Sequence, residues 1–356
     1  MEIRPFVGAE ASDDEVRQRY ELYVGNIGQT FPGFPPQPFD AFAESQRSGS
    51  YGGVGRRRAW GAWDGDRLLG FGSVIYPDHH MLDWAMPVAV VDESHQRRGI
   101  ANALLREIVA DARAEGRTMF GSEQVRLGTA GEQWVRAVGF ENTLVNCWQM
   151  LHVADVDPVL WDVAVPAGFR LERWVDATPE SIVAAFAAAR NAIVDRPTGD
   201  SSFLDSEWTV ERVREAEANL REAGDESRFV VAVHEESGAV AALTGMILRP
   251  PRVDLCWQRD TAVVRQFRGL GLGRVVKAAM MRWLLADFPD LGMVATNNAA
   301  DNVHMIRVNE QIGYSHYADI GIFEAPVEQV GAALGMQGTN SIPGPRRQSD
   351  QSLEGA

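Results

Sequence analysis

The chain has 356 residues, 45% of them hydrophobic and 23% charged, with a formal net charge of −15. That length suggests two globular domains, and the acidic balance argues against nucleic acid, whose binding needs a basic surface to displace counterions. No apolar run approaches the roughly 18 residues that span a bilayer, and no basic-then-apolar segment begins the chain, so a cytoplasmic protein with no membrane partner is expected.

In chain order, Ile3–Phe6 reads as a strand and Asp13–Val24 as a helix capped by Ser12 or Asp13. A Pro/Phe/Gly loop follows at Phe31–Phe39. Two strands, Arg57–Asp64 and Arg67–Tyr76, flank the Asp64-Gly65 turn, and Met81–Val91 is the next. The segment Val91 to Ala101 then carries Gln96-Arg97-Arg98-Gly99 before a helical stripe of Ile100, Leu104, Leu105, Ile108 and Val109. Glu132–Val138 is a short last helix, closed by Gly139-Phe140. A linker near Asp155–Pro166 is marked by Pro158 and Pro166.

The same order then repeats. It runs through strand Phe169–Trp174, helix Pro179–Ala189, loop 190–208, helix Val210–Ala223, strands Phe229–His234 and Val240–Ile247, and strand Asp254–Val264. After it come Arg268-Gly269-Leu270-Gly271-Leu272-Gly273-Arg274 and a helix bearing Val275, Val276, Met280, Trp283 and Leu284. A repeat of about 170 residues is too long for a solenoid and reads as a duplication. In register, Gln96 falls on Arg268, Gly99 on Gly271 and Ala101 on Gly273. Residues 332–356, rich in Gly, Ser, Gln and Pro, are expected to be a disordered tail. Cys147 and Cys256 lie one in each half with no Cys-x-x-Cys or His–Cys spacing, so neither a disulfide nor a metal site is expected.

Each glycine-bearing loop opens directly into a helix, where unpaired N–H groups and the helix dipole attract an anion such as a pyrophosphate. Both loops fit Q/R-x-x-G-x-G/A, and here the chain resembles the GNAT superfamily of acetyl-CoA-dependent N-acetyltransferases. Gly139-Phe140 and Gly313-Tyr314 match the pair that closes the family's last helix, and Thr296-Asn297-Asn298 with Asn302 and Met305 resembles its asparagine-bearing strand end. The resemblance implies an α/β (α+β) fold of two tandem modules, about residues 1–155 and 165–330. Each would be a mixed, mostly antiparallel sheet with flanking helices.

It also implies acetyl-CoA as donor and a small amine as acceptor. The likeness extends to mycothiol synthase-like enzymes and antibiotic N-acetyltransferases, and the acidic balance favours a cationic acceptor. The second loop, Arg268 to Arg274, and backbone N–H groups at Ala262, Val263 and Val264 would hold the cofactor, with Asn298 and Asn302 along its arm. The first loop, from Val91 through Gln96, Arg97, Arg98 and Gly99 to Ala101, offers a second site whose groove looks degraded, because Gly128 and Val88 stand where the second module has Asn302 and Asp260.

Transfer to an amine needs a proton acceptor for an ammonium of pKa about 10 and a donor for the departing thiolate. Asp260 is the candidate base. Where many relatives carry a general-acid tyrosine this chain has Val135 and Asn309, leaving the Asn309 amide as the candidate donor. Loop 190–208 offers Asp195 and Asp200 for a cationic substrate. A non-catalytic acyl-CoA-binding regulatory protein is the alternative that the missing tyrosines favour. The sequence carries no signal for oligomeric state.

Overall fold

The computed structural model describes residues 1–48, 50–51, 55–78, 81–192, 199–200, 207–250 and 252–337. The first half runs β1 (Glu2–Pro5), α1 (Asp13–Thr30), α2 (Phe39–Arg47), β2 (Ser50–Tyr51), β3 (Gly55–Asp64), β4 (Arg67–Pro77), β5 (Trp84–Val91), α3 (Ile100–Ala114), β6 (Met119–Arg126), α4 (Ala130–Ala137) and β7 (Glu141–His152). The second runs β8 (Phe169–Val175), α5 (Val183–Arg190), α6 (Val210–Glu222), β9 (Glu226–His234), β10 (Val240–Arg249), β11 (Arg252–Val263), α7 (Leu272–Asp287), β12 (Met293–Ala299), α8 (Val303–Glu310), β13 (Ser315–Pro326) and α9 (Val327–Ala333). None of the helices in the described residues is long and apolar enough to cross a membrane.

Local chemistry explains the element ends. The Ser12 hydroxyl accepts from the Glu15 N–H while the Glu15 carboxylate accepts from the Ser12 N–H, so two unpaired donors of α1 are satisfied reciprocally. This helix continues to Thr30, further than the apolar periodicity indicated, and α2 follows the Pro-rich loop. α5 starts at Val183 rather than Pro179, whose carbonyl accepts the Ile182 and Val183 N–H groups in a preceding turn.

The strands form one sheet in the order β1-β3-β4-β5-β6-β13-β7-β12-β11-β10-β9-β8, mostly antiparallel, with parallel pairs only at β5–β6 and β11–β12. Its centre exchanges strands between the halves. β13, the last strand of the second half, pairs with β6, while β7, the last strand of the first half, pairs with β12. The two exchanged strands pair with each other. The segments 1–155 and 165–330 are therefore repeats in the chain, not separate packing units.

The cores follow the exchange. Ile100, Leu104, Leu105, Ile108 and Val109 of α3 pack with Phe323 and Ala325 of β13 and with Val327 and Val330 of α9. Leu272, Val276, Met280, Met281 and Leu284 of α7 pack with Leu151 of β7 and Trp161 of the linker. Along β10, Ala242 and Met246 face α7 whereas Leu243 faces α5 and α6, so these helices cover opposite faces of the sheet. The expectation of a disordered tail from residue 332 is corrected at its start. Helix α9 continues to Ala333, Leu334 is buried in the first-half core, and its carbonyl accepts two hydrogen bonds from Arg106. Residues 338–356 lie outside the described residues.

Candidate active site

The two glycine-bearing loops have the same backbone. Gln96 and Arg268 are extended (φ −62°, ψ 159° and φ −66°, ψ 155°), and Gly99 and Gly271 are left-handed N-caps (φ 80°, ψ 3° and φ 74°, ψ 6°). Between them Gly269 has φ 83°, and its counterpart Arg97 takes φ 62°. A non-glycine residue there bears roughly 1–2 kcal/mol of steric cost. The surrounding loop imposes that conformation, which is the pattern of a functional constraint. A Cβ built on Gly99, Gly269 or Gly271 meets nothing within 4 Å, so the space in front of each helix N-terminus is open.

Beside each loop a parallel strand pair parts. β5 pairs with β6 only at Trp84↔Met119 and Ala85↔Phe120, and β11 pairs with β12 only from Leu255↔Met293 to Trp257↔Ala295. Beyond these points each pair opens a cleft leading to its loop. The second cleft has a further device. Thr244 and Met246 of β10 face Thr261 and Gln258 of β11, so Arg259 and Asp260 oppose the single residue Gly245 in a β-bulge. A buried network braces it: the Tyr314 hydroxyl donates to Gln258 Oε1 (2.7 Å), and Gln258 Nε2 donates to Thr244 (2.9 Å) and Thr261 (2.8 Å). Burial pushes the Tyr314 phenol well above its ordinary pKa, keeping it a donor. Sequence reasoning missed this network, whose only signal is the pair of uncharged polar residues Gln258 and Thr261 in β11. β5 pairs with β4 without a register shift and carries Pro87, which has no N–H to offer.

The structure redistributes the expected site residues. The Val264 N–H donates to Ala241 (2.9 Å), and strand alternation turns the Ala262 N–H toward the same neighbour, so of the three only the Val263 N–H faces the cleft. The Arg268 Nε donates to the Val263 carbonyl (3.1 Å), folding that side chain back on the strand end. Arg274 turns to the linker, reaching the Leu160 carbonyl at 3.5 Å. Arg98 donates to the Ser94 carbonyl (3.0 Å), while Gln96, Arg97 and Leu270 are exposed at the loops. Gly273 and Ala101 occupy the first turns of α7 and α3. Asn298 lies on β12 past the parting point, and its buried Nδ2 has no partner. Asn302 caps α8, accepting from the Met305 N–H (3.2 Å).

The two catalytic candidates each have a side-chain partner. Asp260 is an ion pair, its carboxylate 2.7 Å from Arg190 Nη2, and Arg190 lies 3.3 Å over the Trp208 ring. The pair anchors the bulge to α5. Asn309 is 0% exposed, and its Nδ2 donates to Gln149 of β7 (2.8 Å). It fastens α8 to the exchanged strand.

Described residues of the loops joining the first two helices of each half reach the central strands of the sheet. From the first half, Phe31 stacks on Trp148 (5.4 Å), Phe34 packs on Trp257 (5.7 Å) and the Pro32 carbonyl accepts from Tyr317 (3.0 Å). From the second, the Asp200 N–H donates to the Thr143 carbonyl of β7 (2.9 Å), leaving an exposed carboxylate over the first-half strand. Asp195 lies outside the described residues.

Residues 20–125 match the model of the acetyltransferase (GNAT) family, a span containing the first loop. Among solved structures, a tandem GNAT protein from the clavulanic acid biosynthesis pathway is 24% identical, with a TM-score of 0.73 over 92% of this chain and 98% of that one. A GCN5-related N-acetyltransferase from Sphaerobacter thermophilus is 14% identical, with a TM-score of 0.67 over 92% and 95% of the two chains. A glucosamine N-acetyltransferase region of a fungal multi-domain β-N-acetylglucosaminidase reaches 0.58 at 13% identity, covering 91% of this chain and 38% of that one. These likenesses show a tandem GNAT fold. No curated protein matches by sequence.

Proposed function

We propose that this chain, whose fold is that of tandem GNAT proteins and whose residues 20–125 match the acetyltransferase family, transfers acetyl from acetyl-CoA to a small amine. The observation that carries the reading is the pair of loops with one backbone conformation, each at a helix N-terminus beside parting parallel strands. The residues present fit the donor. First-turn N–H groups of α7 and α3 can hold a pyrophosphate, and the unpartnered Asn298 Nδ2 offers a donor along the cleft. Coenzyme A supplies the thioester and a thiol whose pKa, about 8.5, lets it leave as thiolate.

The second half is proposed as the catalyst, and the bulge at Arg259–Asp260 supports it, since a bulge frees strand N–H groups that can stabilise a developing oxyanion. The Arg190–Asp260 pair fixes that bulge. The first half is proposed to hold coenzyme A through Gln96 to Ala101, where the strained Arg97 is retained. A cationic acceptor complements a chain of net charge −15.

Acetyl-CoA binding by calorimetry, followed by thiol release with a panel of amines, tests the reading. Turnover with an amine supports it. Binding without turnover supports the second reading, a regulatory acyl-CoA-binding protein, which the burial of Val135 and Asn309 at the general-acid positions favours. Absence of binding overturns both.

A further inference from the structure

The exchange brings Cys147 to His316 and Asp319, which lie far from it in the sequence. Cys147 of β7 is directly opposite Asp319 of β13, and His316 is opposite Gln149, two residues along β7 and on the same face as Cys147. In a regular strand His316 and Asp319, three apart, would point to opposite faces. The register shift between His316 and Ala318 makes Tyr317 a bulged residue and restores both side chains to one face. The Cys147 sulfur, a His316 ring nitrogen and an Asp319 oxygen lie within 4.8 Å of one another, with His316 Nε2 3.0 Å from Asp319 Oδ1.

We propose that Cys147, His316 and Asp319 form a binding site for a divalent transition-metal ion of the zinc type. The donor set carries the choice of ion: thiolate and imidazole select zinc or cobalt over magnesium and calcium, which take oxygen ligands. Metal–ligand bonds of about 2.0–2.3 Å set ligand separations near 3.5 Å, a contraction that rotation of the two exposed side chains supplies. Cys147 is buried whereas His316 and Asp319 are 57% and 51% exposed, so an ion enters from solvent and keeps an outward coordination position. Binding forms a metal–sulfur bond as the thiol proton leaves to water. One ligand comes from the first half and two from the second, so the ion ties β7 to β13 at the crossing point.

Titration of the chelator-treated full chain with Co²⁺ tests the site, because a cobalt–thiolate bond gives a charge-transfer absorption that His and Asp ligands alone do not. A saturable band, displaced by Zn²⁺, is expected. It should vanish in Cys147→Ser, persist in Cys256→Ala, and require at least tenfold more Co²⁺ in His316→Ala. Cys256, 0% exposed with its thiol on the Ile247 carbonyl, cannot supply the band. No band in the wild type, a band surviving Cys147→Ser, or unchanged cobalt affinity in both His316→Ala and Asp319→Ala would each overturn the site. The two exposed positions keep the test valid if Cys147→Ser disturbs folding.

Discussion

Asp260 is where a single side chain decides between two chemistries. A free base would make Asp260→Asn a loss of roughly 10²–10⁴-fold in kcat that shrinks at high pH. The ion pair with Arg190, whose side chain is 11% exposed, leads to a different expectation. Asp260→Asn leaves a guanidinium without its anion and should cost about 2 kcal/mol of stability, with a fall in kcat whose size does not depend on pH. Thermal melts and a pH–rate series distinguish the two. Lys277, the only lysine in the chain, is 1% exposed and lies 5.5 Å from the Tyr314 ring. Burial holds its pKa well below the ordinary value, so between its folded pKa and the unfolded value near 10.4 the unfolded chain binds one proton more. Stability contributed through Lys277 therefore rises with pH across that window and falls as pH drops. Lys277→Met should be more stable than wild type at pH 7, and the gap should narrow toward pH 10; equal melting temperatures at pH 7 would refute the assignment of a buried amine.

At the scale of elements, the loops are the test. Gly271→Val should weaken acetyl-CoA binding at least tenfold, about 1.4 kcal/mol, because φ 74° excludes a β-branched residue and the backbone must reshape. Gly99→Val should spare most turnover if the second half is the catalyst, and calorimetry with steady-state assays on both variants reads the asymmetry directly. Arg97→Gly relieves the left-handed strain and should raise stability by about 1 kcal/mol. If the guanidinium also meets phosphate, the same variant loses affinity, so opposite signs in a melt and a titration are expected. These loops were legible in the sequence because glycine spacing and the following apolar stripe report backbone conformation locally. The bulge at Arg259–Asp260 was not, since a strand's pairing register is set by its neighbour. The partners of Asp260 and Asn309 were equally hidden, being Arg190, 70 residues earlier, and Gln149, 160 residues earlier.

For the whole molecule, the repeat was readable and the exchange was not. β7 and β13 would show the same alternation whether each stayed in its own half or crossed. The crossing makes a core residue of one half a support of the other. Phe323, 0% exposed in β13, packs in the core of α3, so Phe323→Ala should cost about 3–5 kcal/mol and expose the first half to proteolysis, although it lies near the end of the chain. Fragments 1–156 and 157–337 should each lack a cooperative melt alone and recover one when mixed. Their recovery sharpens what the covalent joint at Asp155–Pro166 does. Two separate copies that traded strands would fall apart below their dissociation constant, whereas a tether holds its two ends at an effective concentration on the order of millimolar. The intact chain should therefore melt at a temperature that does not change on dilution. The mixed fragments should melt lower with each dilution step, until their partnership is lost at concentrations where the single chain is still folded.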